Sequence, residues 1–173
     1  WAARIGTNEI VRIGSDWSVQ TFPIAGLPVA NAFYVGDISS DGVMYFYGPY
    51  ATEIYRVDLD PASATYLQML PTLTTEATNL TDWAFSPVDG NLYGMTNNEN
   101  NAASFHLYRF DPATGARTDL GVVSGGGIQA AANITFGASY MDSEGSLYLS
   151  NNETGNIYRI ASPHMGGIIS TFV

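Results

Sequence analysis

The sequence predicts an all-β protein, a β-propeller of about four blades, on three observations. One five-residue pattern recurs four times, a second precedes it three times in step, and no segment carries a convincing helical period. The recurring pattern is Glu9-Ile10-Val11-Arg12-Ile13, Glu53-Ile54-Tyr55-Arg56-Val57, His106-Leu107-Tyr108-Arg109-Phe110 and Asn156-Ile157-Tyr158-Arg159-Ile160, spaced by 44, 53 and 50 residues. Its companion is Asp41-Gly42-Val43-Met44-Tyr45, Asp89-Gly90-Asn91-Leu92-Tyr93 and Glu144-Gly145-Ser146-Leu147-Tyr148, spaced by 48 and 55. Two independent markers advance together at a period near that of a four-stranded propeller blade.

The second full unit displays the plan. Leu80–Phe85 reads as strand A and Ser86–Gly90 as a turn; Leu92–Thr96 follows as strand B and Phe105–Phe110 as strand C. Asp111–Gly115 turns the chain into strand D, 116–123. The strands carry the β-branched and aromatic residues that suit a pleated surface. Asp-Gly and Pro-x-x-Gly supply the φ values that tight hairpins need. The same reading gives full units at about 31–70, 79–123 and 133–173, while 3–24 supplies only B-, C- and D-like strands. The Ala-rich stretch 127–132 is too short for a helix and reads as loop. A lone blade cannot bury both faces, so the units must stack within a single domain spanning 1–173. A closed four-bladed ring needs one more inner strand, so a portion of a larger propeller fits the pattern equally well.

Composition narrows the function. Lys+Arg total 6 against 16 Asp+Glu, a formal net charge of −10, and all six cations are Arg. Such a surface does not suit a phosphate backbone, so no nucleic-acid partner is expected. With no Cys there is no disulfide, thiolate zinc site or cysteine nucleophile. No apolar run approaches the length of a transmembrane segment. Trp1 in place of an initiator reads as a trimmed start. The acidic, Lys-free, Asn- and Thr-rich character leans toward an extracellular, cell-surface or periplasmic location. Asn-x-Thr sequons stand at Asn79, Asn133 and Asn152, a short pattern that also arises by chance in such a chain.

The stretch Leu107-Tyr108-Arg109-Phe110-Asp111-Pro112-Ala113-Thr114-Gly115 resembles the repeat of secreted bacterial β-propellers in the neighbourhood of the NHL and YVTN families. Trp83-Ala84-Phe85-Ser86-Pro87-Val88-Asp89-Gly90 is similar to the strand and turn that open many such blades. The motif decays to Asp60-Pro61-Ala62-Ser63-Ala64 and Ala161-Ser162-Pro163-His164 in the flanking units, and the WD dipeptide is absent. The resemblance implies a propeller and an extracytoplasmic location. It implies no activity, since this fold hosts unrelated functions.

Loop lengths point to one rim. The A–B and C–D turns are short, whereas the B–C loops (48–52, 97–104, 151–155) and D–A loops (25–30, 71–78, 124–132) vary and share a rim. Variable loops on a fixed scaffold are where binding concentrates. The candidates there are Asn97, Asn98, Asn151 and Asn152 in equivalent B–C loops, with Tyr47 and Tyr50 in Tyr47-Gly48-Pro49-Tyr50 as the exposed aromatic candidates, although Tyr47 also falls among the strand tyrosines that read as blade-to-blade packing. Asn31, Asn79 and Asn133 form a set just before each strand A. Each Asn also reads as a turn-former. No cofactor is expected; Ca²⁺ on the oxygen-rich Asn/Glu loops is the one ion weighed. Arg12, Arg56, Arg109 and Arg159 occupy one position in successive C strands and should pair with acids such as Asp58, Asp60 and Asp111. His106 and His164 should lie on opposite rims, too far apart to cooperate. Asp37 and Asp82 near the inner strands are the carboxylates that a hydrolase or lyase would use. The expectation is a non-catalytic extracytoplasmic module that contacts a protein or glycan through the B–C/D–A rim. The alternatives are a structural subunit of an extracellular or periplasmic assembly, and a glycan-acting enzyme.

Overall fold

The computed structural model describes residues 1–173 apart from 5, 30–32, 34, 49–50, 97–104, 129–135 and the Phe172 side chain. The described residues build four antiparallel sheets in chain order, the blades of a β-propeller. The first holds β1 (Ala2–Ala3), β2 (Glu9–Ile13) and β3 (Val19–Pro23). The second holds β4 (Val35–Ile38), β5 (Val43–Tyr47), β6 (Glu53–Asp58) and β7 (Met69–Thr74). The third holds β8 (Leu80–Phe85), β9 (Leu92–Thr96), β10 (His106–Phe110) and β11 (Arg117–Val122). The fourth holds β12 (Phe136–Met141), β13 (Leu147–Asn151), β14 (Ile157–Ile160) and β15 (Ser170–Phe172). Three sheets of four strands and one of three follow the fifty-residue rhythm.

Two differences from expectation have local causes. The outer strand of the second blade runs to Thr74, past the expected end at 70. Pro71 is tolerated there because an edge strand spares it a ladder donor, and its carbonyl accepts from Arg56 Nε at 3.0 Å. A single 3₁₀ turn, Pro163–Met165, replaces the decayed C–D turn of the fourth blade. Proline at its start fixes φ, and Gly166 closes it at φ 85°.

Alternation along the strands distributes the core over three seams. On β5, Met44 and Phe46 face the first blade, with Ile10, Ile24, Leu27 and Val57. Tyr45 and Tyr47 face the third blade, with Ile54, Trp83, Tyr108 and Phe110. On β9, Tyr93 and Met95 meet Phe136, Leu147, Leu149 and Tyr158 of the fourth blade. Both faces of β9 are therefore buried. Edge-on rings knit the seams, as with Tyr45 of the second blade and Phe85 of the third at 5.1 Å and 74°. At the C–D turn of the third blade the Gly115 N–H donates to Asp111 O at 2.8 Å with φ 79°. A Cβ at Gly115 would stand 2.5 Å from Thr74 O in the neighbouring blade. Glycine answers both the turn and the seam there.

Candidate functional site

The inner strands β4, β8 and β12 lie side by side with β8 between the other two. Two carboxylates tie them together. Asp37 Oδ2 accepts from the Phe85 N–H at 2.7 Å, and its Oδ1 accepts from Ile38 N–H at 2.8 Å. Asp82 Oδ2 accepts from the Ser139 N–H at 2.7 Å, and its Oδ1 accepts from Trp83 N–H at 2.9 Å. The backbone amide of Gly36 in the second blade also acts on the Asp82 carboxyl. Burial pushes its carboxyl up to about 6 against these amides, with Asp37 adding repulsion. Both acids expected near the channel are thus there, with their oxygens engaged by main-chain donors.

Beside these strands opens a cleft of about 910 Å³ on the A–B/C–D rim. Its floor comes from Asp37, Phe85, Ser139 and Tyr140, and its sides from the turns at Ser39–Asp41, Ser86–Gly90 and Pro112–Ala113. Asp37, Ala84 and Tyr140 occupy one register position on the inner strands, opposite Tyr45, Tyr93 and Tyr148. Tyr140 is 64% exposed, and Asp41 projects to solvent with one oxygen held by Ser39 Oγ. Arg56 donates from Nη2 to Pro71 O at 2.6 Å while its guanidinium lies 5.9 Å over the Tyr45 ring. Tyr45 in turn donates to Pro112 O at 3.3 Å. The cleft therefore offers two carboxylates, one guanidinium, several hydroxyls and an open aromatic ring.

The rim expected to bind is only partly described. Asn31, Asn133, Tyr50, Asn97 and Asn98 lie outside the described residues. Asn79 stands half-buried just before β8. Asn151 is 2% exposed, and its Oδ1 accepts from the amides of Glu153 at 2.9 Å and Thr154 at 3.0 Å, shaping the B–C turn. Asn152 is exposed and lies over the Gly137 backbone. Tyr47, expected at the surface, is instead fully buried. Strand parity turns it inward against Trp83 at 5.6 Å. Its hydroxyl donates to Ala51 O at 2.8 Å and accepts from Thr78 N–H at 2.8 Å.

The arginine ladder also departs from expectation. Among the described residues the ion pairs are Arg4–Glu9, His106–Asp119 and Arg117–Glu76, and none includes the four repeated arginines. Arg56, Arg109 and Arg159 stand opposite Tyr45, Tyr93 and Tyr148 across the strands. Arg12 lies 5.9 Å over Trp1, and Arg159 donates to Ser146 Oγ at 2.8 Å. Aromatic faces and neutral oxygens serve Arg12, Arg56 and Arg159, while the charges of Arg109 and Arg159 also help hold the Asp111 and Asp142 carboxyls below their ordinary value without a direct ion pair. Arg117 was not singled out by the sequence, because it falls outside both repeated patterns. It clamps the D–A loop that enters its own blade, donating to Thr78 Oγ1 at 2.5 Å, pairing with Glu76 and covering Tyr108 at 4.7 Å. His106 holds Asp119 at 2.9 Å on the third blade, and His164 packs on Gly145 of the fourth. Among the described residues no three His, Cys, Asp or Glu side chains converge as a metal-ligand set, and no helix is long and apolar enough to cross a membrane.

Three solved structures share the fold. Virginiamycin B lyase from Staphylococcus aureus superposes with a TM-score of 0.56 at 16% identity, over 96% of this chain and 48% of its own. YCF48 bound to D1 peptide gives 0.56 at 13% identity, over 90% and 43%. The extracellular domain of the one-component system BT4673 from B. thetaiotaomicron gives 0.53 at 14% identity, over 96% and 22%. The chain thus spans about half the length of the lyase and less of the other two. No curated protein matches the sequence. A family model does match, over residues 1–166, and on that extent the chain belongs to DUF6923, a repeat family of unknown function.

Proposed function

We propose that this chain is a non-catalytic binding module of the extracytoplasmic space, and that it takes a glycan or a protein segment into the cleft on its A–B/C–D rim. The cleft carries the reading: about 910 Å³ at the inner strands, with an open ring at Tyr140 and free carboxylate and hydroxyl edges at Asp41 and Ser40. A few placed polar groups beside the rings of Phe85 and Tyr140 suit a ligand held by stacking and hydrogen bonds. The excess of carboxylate over guanidinium favours neutral or basic ligands. The backbone bonds of Asp37 and Asp82 support a scaffolding role over acid–base work. That YCF48 is seen with a bound peptide supports peptide capture on such a scaffold. The B–C/D–A rim, with Asn79 and Asn152, is the competing surface.

The test is a panel of soluble oligosaccharides and peptides titrated by calorimetry. Tyr140→Ala and Asp41→Ala should each weaken a hit about ten-fold or more, while Asn152→Ala leaves it unchanged. The reverse pattern moves the site to the B–C/D–A rim. Turnover of a glycan that survives Asp37→Asn and Asp82→Asn would remove both named acids from any catalytic role.

A further inference from the structure

Taking the cleft as the binding site, we propose that it recognises the cationic side chain of a basic peptide, and that this cation competes with a proton on the inner strands. Two carboxylates there have no cation to answer them. Asp37 lies in the cleft floor, and Asp82 stands near enough for the two charges to repel. Among the described residues neither belongs to an ion pair. Each takes two main-chain N–H hydrogen bonds, between 2.7 and 2.9 Å, which fill about half of the roughly four acceptor sites of a carboxylate. Amide dipoles orient these charges without neutralising them, and half-buried charge is costly until a counter-charge arrives. The Ser139 hydroxyl beside them is buried and has no hydrogen-bond partner. Asp41 adds an exposed carboxylate at the mouth, with one oxygen held by Ser39 Oγ. Arg56, the cation of the cleft wall, is already engaged by Pro71 O at 2.6 Å and by the Tyr45 ring. An ammonium brings three N–H donors and a guanidinium five, and neither accepts, so a lysine or arginine side chain complements this set. Phe85 lines the same floor and receives the aliphatic stem. A Ca²⁺ ion needs 6–8 oxygens, and among the described residues no three acids converge.

A cation seated at Asp37 also acts on Asp82 through its field. The strands packed against β8 are β4, β9 and β12, and their titratable side chains are Asp37, Tyr93 and Tyr140. The Tyr93 hydroxyl donates to Asp89 Oδ2 at 2.7 Å, so Asp37 is the carboxylate that Asp82 meets. Burial, with the Asp37 charge added, holds the Asp82 carboxyl near 6 in the free protein. A bound cation favours the ionised form and draws that value down. Binding then expels a proton near pH 6 and tightens as pH rises through it. A downward shift of one pKa unit makes the peptide bind about five-fold tighter at pH 7.5 than at pH 5. The same shift makes binding about ten-fold weaker at pH 7.5 when residue 82 cannot ionise.

Calorimetry tests this with blocked pentapeptides that carry one central lysine or arginine, and with their acetyl-lysine and citrulline counterparts. Salt at about 0.15 M screens the diffuse attraction of a chain of net charge −10. The cationic peptides should bind, and neutralising the side chain should weaken them about ten-fold or more. Asp37→Asn should have the same effect on the cationic peptides. Should it lower the melting temperature, Ser40→Lys replaces it, setting a cation at an exposed position of the cleft. Titrations in two buffers of different ionisation enthalpy should show proton release near pH 6 that Asp82→Asn abolishes. If the neutral counterparts bind as tightly and Asp41→Ala weakens both, the cation proposal falls and the cleft reading stands. If Asn152→Ala weakens the cationic peptides while Asp41→Ala and Ser40→Lys do not, both fall. No binding of any cationic peptide, or one pH profile shared by the wild-type protein and Asp82→Asn, overturns the proposal equally.

Discussion

Protonation of Asp82 should set how folding responds to mild acid. Its carboxyl accepts main-chain amides of the third and fourth blades, and burial raises it from 3.8 to about 6. The folded state then holds the proton more tightly than the unfolded chain. The resulting stabilisation is complete below pH 3.8 and disappears as pH rises through 6. A difference of roughly 2 pKa units corresponds to about 3 kcal/mol. Asp82→Asn removes the titration and adds a cost that does not vary with pH. Urea unfolding of both proteins between pH 7.5 and pH 4 isolates the effect, because groups other than its neighbour Asp37 cancel in the difference. The wild-type protein should gain roughly 2.4 kcal/mol on the variant across that interval, most of the full amount. Asp16, Asp58, Asp89, Asp111 and Asp142 are held below 3.8 by hydrogen bonds, so their losses begin at lower pH. A difference that stays flat from pH 7.5 to 4 would refute the placement of Asp82 in a desolvated hub.

Two further substitutions probe the seams. Gly115→Val places a branched side chain at φ 79° and drives its Cβ toward Thr74 O, so thermal unfolding should fall by several degrees or the chain should fail to fold. An unchanged melting temperature would contradict both the turn and the close approach. Tyr47→Phe keeps the ring against Trp83 and deletes the hydroxyl that joins Ala51 O to Thr78 N–H. It should cost about 1–3 kcal/mol in chemical denaturation, against near zero if that hydroxyl met water.

The fold was legible because each blade repeats its own grammar. Strands β8 and β9 appear where alternation and the Asp-Gly turn place them. The end of β7 was not, because Pro71 reads as a strand breaker unless the strand is known to be outermost. The site was legible only in part. Asp37 and Asp82 could be assigned to inner strands, but their amide partners belong to the next blade, beyond the reach of local pattern. Tyr47 borders the B–C loop at Gly48 and so reads both as a strand tyrosine and as an exposed partner of Tyr50; its parity on β5, which matches buried Tyr45, decides for the first. The cleft was missed because its inner-strand position varies from Asp37 to Ala84 to Tyr140, so no repeated residue announces it.

Burial falls away at the outermost strands of the first and third sheets. Strand β9 is buried at every residue, while the outermost strands β3 and β11 are largely exposed. Little oily surface holds an outermost strand in place beyond its single ladder of amide bonds. Such strands are the first to peel, and deuterium should enter them at free energies well below that of global unfolding. The periphery is then where this protein best accommodates insertions, tags or grafted epitopes, with the wheel beneath left intact.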